Sequence, residues 1–371
     1  MDILISGAGV AGLSAAVDLG ARGHRVTLVE RSSHFRVNGS PIDVRGDAIA
    51  VAENMGLLAK IRDRQLRMTE NSVFVDAGGT VLAALPLAET SDSDDDIEIA
   101  REDLATVLAE ALPADATVRF RDSVAALADD GAGVDVRFAS GDTGRFDLVI
   151  GADGLHSAVR RLSFGPESGF VKHLGVYAAI ADLPAEAGSG GPNPTYNFPG
   201  HMASIMRYRD RALAVFLFRS DPIEYDYHDL DAQRKVLADA FAGHDEWRIP
   251  ELIAAAMADP ELYFDSSSQI HMPSWHRGRV VLVGDAAHAA SGLSGRGTSL
   301  ALLGTSFLTE ELDEDDLEAG FERYEARQRP YVRAAQAGVA DGADLVVPAT
   351  REDIAARNAR LQTTLGRRTS S

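Results

Sequence analysis

Residues 2–30 read DILISGAGVAGLSAAVDLGARGHRVTLVE, and the fold turns on this stretch. Residues 2–6 are a short apolar run stopped by Gly7, the pattern of a buried strand. From Val10 to Arg22 small and apolar residues recur at helical spacing, and Arg25 to Glu30 is a second strand. A β-α-β unit completed this early opens a doubly wound parallel sheet. Between the first strand and the helix stands Gly7-Ala8-Gly9-Val10-Ala11-Gly12. Its first glycine permits the tight turn, its second lets a pyrophosphate approach the backbone, and its third allows close helix–strand packing. The helix start offers unpaired N–H groups and a positive dipole end to phosphates. Glu30 ends the second strand 18 residues beyond Gly12, placed to accept hydrogen bonds from a ribose. Glycine is common here, 34 of 371 residues, so the pattern alone is weak. Strand, helix and carboxylate in register make it a dinucleotide site. NAD and FAD both remain open at this point.

Working outward, residues 47–65 are expected to be helical, and 73–76 and 80–85 to form a hairpin around Ala77-Gly78-Gly79. A helix is expected at 102–111 and strands at 117–121, 133–139 and 145–150. Past residue 165 the character changes. Residues 170–182, 195–198, 202–208 and 211–219 read as strands between loops such as Ala187–Pro194, and helices follow at 229–241 and 250–258. This is an inserted, mostly antiparallel lobe. Residues 279–283 return to a buried strand, and helices fill most of 296–371 with a kink expected at Pro330. The nucleotide-binding domain is therefore discontinuous, built from 1–70, 98–165 and 268–340. Residues 71–97 and 166–267 form the second domain, and 341–371 a C-terminal helix.

Two later motifs bear on the cofactor. Residues 278–300, GRVVLVGDAAHAASGLSGRGTSL, carry a strand into Gly284-Asp285, and Gly295-Arg296-Gly297 then opens a helix. An Asp at a strand end can hold the hydroxyls of a ribityl chain, and the N–H groups of the next helix can stabilise charge at a flavin's N1–C2=O edge. NAD has no ribityl group, which points to FAD. Residues 146–161, FDLVIGADGLHSAVRR, repeat the logic with Asp153-Gly154 and a helix carrying Arg160 and Arg161.

Taken together these three motifs resemble the FAD-dependent aromatic hydroxylases of the para-hydroxybenzoate hydroxylase fold. The short form is similar to the tetracycline-inactivating and aromatic polyketide flavin monooxygenases. The fold class implied is α/β: a Rossmann-like FAD-binding domain with an inserted, mostly antiparallel β-sheet substrate domain and C-terminal helices. The resemblance implies non-covalent FAD held by Gly7, Gly9, Val10, Ala11 and Gly12, with Glu30 and Arg31 at the adenosine ribose. It places Arg101 and Asp285 in the ribityl–pyrophosphate region, the Val124 backbone at adenine, and Gly295, Arg296, Gly297 and Thr298 along the flavin pyrimidine ring. Asp153 and Arg160 would belong to the motif linked to both FAD and NAD(P)H. The family usually has Pro near Ser291 or Gly292, Gln at Arg296 and Asn at Ser299, so this chain departs beside the flavin's reactive edge.

The chemistry implied is reduction of FAD by NAD(P)H, then O2 addition to give a flavin C4a-hydroperoxide that hydroxylates an aromatic or polyketide-type small molecule under a dry inserted lobe. A catalytic base is not identified. Arg45, His201, Arg207 and Tyr208 are the candidates, with Tyr177 and Tyr196 beside them. Arg45, in Asp43-Val44-Arg45, falls in a family region near the flavin. His288 reads as a buttress of its loop. The alternatives are an FAD-dependent reductase or dehydrogenase of the geranylgeranyl-reductase type, without oxygen insertion, and a non-catalytic flavin-binding protein. A halogenase would need a Trp-rich signature, and the Trp residues here are Trp247 and Trp275.

Composition narrows the rest. Lys and Arg number 36 against 56 Asp and Glu, and a net charge of −20 argues against nucleic-acid partners. The absence of cysteine excludes disulfides, thiol catalysis, Cys-ligated zinc and iron–sulfur clusters. His271 and His276 lack a third ligand at metal spacing, so no metal is expected. No G-x-S-x-G elbow occurs. The Ser91–Asp96 run reads as a solvated loop. No apolar run of membrane-spanning length and no signal peptide is visible. A cytoplasmic monomer or homodimer without membrane association is expected.

Overall fold

The structure is a computed structural model that describes residues 1–35, 40–66, 72–85, 93–184, 187 and 191–368, with side chains to residue 362. Ser91 and Asp92 of the acidic run, and residues 188–190 of the Ala187–Pro194 loop, lie outside the described residues. The chain divides into two compact units: residues 1–65, 95–172 and 268–338, and residues 66–94, 173–267 and 339–371.

The first unit is built on a six-stranded sheet. Its order is His276–Arg277, Val280–Leu282, Leu148–Gly151, β1 (Asp2–Ser6), β2 (Arg25–Glu30) and Thr117–Phe120. All neighbours are parallel except the first pair, a hairpin edge. Ile3, Leu4 and Ile5 of β1 and Leu148, Val149 and Ile150 of its neighbour are fully buried, as expected for strands covered on both faces. Helix α1 (Val10–Ala21) returns the chain from β1 to β2.

Two expectations need correction here. The single strand at 145–150 is two: Thr143–Phe146 pairs antiparallel with Val134–Phe138, and Leu148–Gly151 joins the main sheet. Asp147 makes the switch, its carboxylate accepting the Asp2 N–H at 2.7 Å. The helix at 47–65 is broken into Asp47–Asn54 and Leu58–Arg62 by Gly56 at φ +71°. The helix Leu317–Ala337 contains Pro330, and its buried residues Phe321, Tyr324, Gln328 and Val332 lie on both sides of it. Short strands at β3 (Ile42–Val44) and Ile97–Ile99, paired antiparallel, are too brief to carry a period in sequence.

The second unit holds a seven-stranded sheet in the order Tyr263–Ile270, Val171–Asp182, Arg211–Arg219, His201–Tyr208, Asn193–Phe198, Ser72–Val75, Val81–Ala84. Alternate residues Ala203, Ile205, Ala214, Phe216 and Phe218 pack with Leu237, Phe241, Ile249 and Leu252 from the helices Leu230–Ala240 and Ile249–Ala258. Residues from Val339 on belong to this unit, not to a separate terminal helix. Asn197 and Arg219 donate to the Val346 and Val347 carbonyls at 2.9 and 2.7 Å, and the Arg357 guanidinium lies 3.5 Å over the Phe74 ring.

Candidate functional site

Three turns at the carboxyl ends of parallel strands meet in the first unit, and glycine lets them do so. Gly7, at φ +101°, would put a β-carbon 2.5 Å from the Ala152 carbonyl oxygen. That contact brings the β1 turn against the Ala152-Asp153 turn. A β-carbon on Gly12 would overlap the Gly7 carbonyl, so α1 starts directly on its own turn. Gly284, at φ +58°, would place a β-carbon 2.9 Å from Ala11 Cβ, which sets the Gly284-Asp285 turn against the first turn of α1. Gly9 differs from all three. Nothing lies within 4 Å of its would-be β-carbon. It caps α1 without a side-chain hydrogen bond and with no acid in the first turn. An unclaimed set of helical N–H groups beside open space is what an anion such as a pyrophosphate needs.

Around this cradle the polar residues divide into braces and groups turned outward. Glu30 accepts the Ala8 N–H at 2.9 Å and the Ser32 N–H at 2.8 Å, so its carboxylate is oriented at the β2 end. Asp285 is exposed although Val283 and Ala286 on either side are buried. Arg31 is exposed, and Arg101 is half-buried at the first position of the helix Arg101–Glu110. Val124 is buried at the start of the strand Val124–Asp129.

Asp153 is committed to structure. Its carboxylate accepts the Ala158 and Val159 N–H groups at 2.8 and 3.1 Å and the Ser157 hydroxyl. Burial pushes its pKa up against those bonds. Arg160 has a fully buried side chain that donates to the Ala286 carbonyl at 2.9 Å, the Leu155 carbonyl at 2.5 Å and Glu167 at 3.1 Å. It braces the second turn to the third from inside. Glu167, which also meets His156 at 3.0 Å, is a partner that sequence reasoning missed, because it lies in a three-residue helical turn with no motif around it.

The segment before the helix Gly297–Glu311 is unusual. Ser291 takes φ +82°, ψ 147°, a region that costs a non-glycine residue about 1–3 kcal/mol. Its Oγ accepts the Leu293 N–H at 3.2 Å. Gly295 is left-handed at φ +61°, and Arg296 stands at the helix N-cap with its N–H donating to Ser294 Oγ at 3.1 Å. Gly297 is half-buried, while Thr298 and Ser299 are buried. Ser299 Oγ accepts the Arg45 N–H at 2.9 Å. The Arg45 guanidinium donates to Asp43 at 2.6 Å, and burial pushes the Asp43 carboxyl up to about 6.

His288 is buried, and neither ring nitrogen has a hydrogen-bond partner among the described residues. Its ring lies 4.7 Å from that of Trp275, and burial lowers its pKa to about 3. It packs as a neutral ring.

The other catalytic candidates lie in the second unit and have structural duties. His201 bonds the Pro199 carbonyl at 2.9 Å and stacks on Phe198 at 4.5 Å, with burial lowering its pKa. Arg207 donates to the Ala187 and Pro192 carbonyls at 2.7 and 2.6 Å, clamping its loop. Tyr208 is 5% exposed, with the Arg211 guanidinium 5.8 Å over its ring. His201 and Tyr208 are opposite ends of one strand, roughly 20 Å apart at ~3.3 Å per residue, so they do not form one site. Tyr177 accepts the Ile223 N–H at 2.7 Å, and Tyr196 packs 5.9 Å from Trp247. Among the described residues there is no cluster of metal-ligating side chains and no helix long and apolar enough to cross a membrane.

Comparison with known proteins adds a second line. A family profile described as FAD binding domain matches residues 1–185. An uncharacterized protein of Mycobacterium tuberculosis is 41% identical over 359 residues, covering 95% of this chain and 96% of its own. A flavin-dependent monooxygenase of Legionella longbeachae is 34% identical over 339 residues, covering 90% and 86%. The crystal structure of tetracycline destructase Tet(51) matches with a TM-score of 0.85 at 32% identity, covering 98% of this chain and 96% of its own.

Proposed function

The chain belongs to the flavin-dependent monooxygenases, and from that premise we propose that it hydroxylates an aromatic or polyketide-type small molecule, with NAD(P)H as electron donor and O2 as oxidant. The observation that carries the reading is the breadth of the likeness: monooxygenase relatives align with nearly the whole chain, both units included, not with the FAD-binding part alone.

The cofactor is FAD, and the residues present fit it. Gly9 leaves the space a phosphate requires and α1 leaves its N–H groups unclaimed. In this reading the first turn of α1, from Gly9 to Ala11, binds the pyrophosphate. Glu30, already fixed by two N–H donors, has lone pairs left for ribose hydroxyls, with Arg31 beside it and the Val124 backbone at adenine. Asp285, exposed at the strand end, receives ribityl hydroxyls, with Arg101 toward the same region. The segment from Gly295 to Thr298 faces the pyrimidine edge of the flavin, with the Gly295 and Arg296 N–H groups already bonded inside the turn at 3.2 and 3.1 Å. Bound FAD supplies the redox and oxygen chemistry. Asp153 and Arg160 act from behind the site as cap and brace.

In the second unit one sheet face is largely apolar. On the sheet face opposite its helices, alternation places Thr195, Met202, Ser204, Leu213, Val215 and Leu217. All but Thr195 are buried, and the Thr195 and Ser204 hydroxyls meet at 3.0 Å, so the substrate class proposed rests on the relatives and not on this face. Tetracycline destructase, a relative by structure, is named for acting on tetracycline.

The test has two arms. Purified protein should carry an oxidised-flavin absorbance band, and Asp285→Ala should weaken FAD binding by about tenfold or more, since a hydrogen bond to a charged group contributes about 1.5–3 kcal/mol. Full occupancy in that variant refutes the ribityl contact. Turnover under labelled O2 with NADH or NADPH should place one labelled oxygen in the product. NAD(P)H-driven reduction of an organic ligand without label incorporation would favour a reductase instead.

A further inference from the structure

Arg45 stands out in the first unit as a cation whose placement is incompletely satisfied by the chain itself. Its side chain is 11% exposed. Its backbone N–H is spent on Ser299 and one guanidinium nitrogen on Asp43. Nε is shielded from solvent and has no hydrogen-bond partner among the described residues. A buried donor left unpaired costs about 1–3 kcal/mol, so an acceptor from outside the chain is expected. The guanidinium lies 3.6–3.7 Å from where a β-carbon on Gly295 would stand. Gly295 itself is exposed, so the cation lies beneath an open stretch of main chain.

The electrostatic surroundings are specific. Asp43 stands opposite Glu98 in the pairing of β3 with Ile97–Ile99, and Asp96 precedes that strand. Glu98 and Asp96 act on the Asp43 carboxyl and raise its pKa while Arg45 lowers it, so Asp43 is the carboxylate that pairs with the guanidinium, at 2.6 Å. The direction of the ligand follows from the phosphate turn. Glu30 marks the adenosine side, at the end of β2. The other half of the dinucleotide therefore runs from α1 toward the Gly284 turn and the helix Gly297–Glu311. That helix is tied to α1 by the Thr305–Ser14 hydroxyl bond at 2.9 Å.

We infer that Arg45 is the side chain that stabilises the negative charge of the reduced flavin ring, with Asp43 as the positioning residue that holds it there. The inference rests on the placement of FAD proposed above. Two electrons and one proton added to the neutral oxidised ring leave one net negative charge, and a buried cation with an idle N–H favours that state over the neutral one.

The experiment is an anaerobic dithionite titration of FAD-loaded protein against a reference dye, for wild type, Arg45→Met, Arg45→Lys and Asp43→Asn. Arg45→Met should lower the preference for reduced over oxidised FAD about tenfold, which is a two-electron potential about 30 mV more negative. Arg45→Lys should recover most of that loss. Asp43→Asn removes the counter-charge and should move the potential in the opposite direction. Neither NAD(P)H nor an organic substrate enters the cell, so failure of the proposed donor or substrate leaves this result standing. A potential for Arg45→Met within twofold of wild type in that preference overturns the inference. So does an Asp43→Asn shift of the same sign as the Arg45→Met shift. Should Arg45→Met emerge without FAD, the sign of the Asp43→Asn shift decides.

Discussion

Two helix starts in the first unit are made from different materials. α1 starts from main chain packed on main chain: Gly12 against the Gly7 carbonyl, Gly7 against Ala152, no side-chain cap anywhere. The helix Gly297–Glu311 starts from side chains: Ser291 over Leu293, Ser299 under Arg45, Arg45 beneath Gly295. The first kind tolerates no added atom, because backbone cannot step aside. The second can be retuned by exchanging a hydroxyl or a cation. The turn proposed to grip phosphate is thus held rigid while the turn proposed to face the flavin ring is left adjustable.

The contrast can be broken by substitution. Gly12→Val should cost about 3 kcal/mol or more by overpacking and yield colourless protein, read by thermal melting and flavin absorbance. Gly9→Ala sharpens the point, because its β-carbon meets nothing in the fold. Stability should change by under about 1 kcal/mol while FAD affinity falls about tenfold. If Gly9→Ala melts as early as Gly12→Val, the division between a folding glycine and a ligand glycine fails. Ser299→Ala leaves the Arg45 N–H without its acceptor and should cost about 1–3 kcal/mol in denaturant, with FAD retained. Equal stability would show that the second helix start does not depend on Arg45.

Acid should also weaken the fold, through His288. The unfolded His288 imidazole takes up its proton near 6.5, the buried one only at about 3. Between those values the unfolded state binds more protons, so stability contributed by the neutral ring is present above 6.5 and lost as the pH falls toward 3. His288→Leu should flatten that part of the stability–pH curve. An unchanged slope would assign the acid response to other groups.

How far each region is readable in sequence follows the same line. The β1–α1–β2 unit lies in contiguous residues, so its periods and glycines could be read directly, as could the strand ends before Asp153 and Asp285. The break at Gly56 and the split at Asp147 were not legible, because a single turn or a change of sheet leaves the local apolar pattern intact. β3 and Ile97–Ile99 are three residues each, below the length at which alternation means anything. His201, Arg207 and Tyr208 looked available because polar residues in a strand could point either way. Their partners, Pro199, Ala187 and the Arg211 cation, decide otherwise. Arg160, read as part of a motif linked to FAD and NAD(P)H, is a buried brace.

The phosphate grip was determined by local chain chemistry: glycine at three fixed spacings, a helix behind them and a carboxylate one strand later need no distant residue to be recognised. Only the tertiary structure decided that Asp153 and Arg160 serve as cap and brace, and that Arg45 lies beneath Gly295, 250 residues away in sequence. The physical reason is that a backbone turn carries its own conformational rules in its residues. The state of a charged side chain depends on what the fold packs around it.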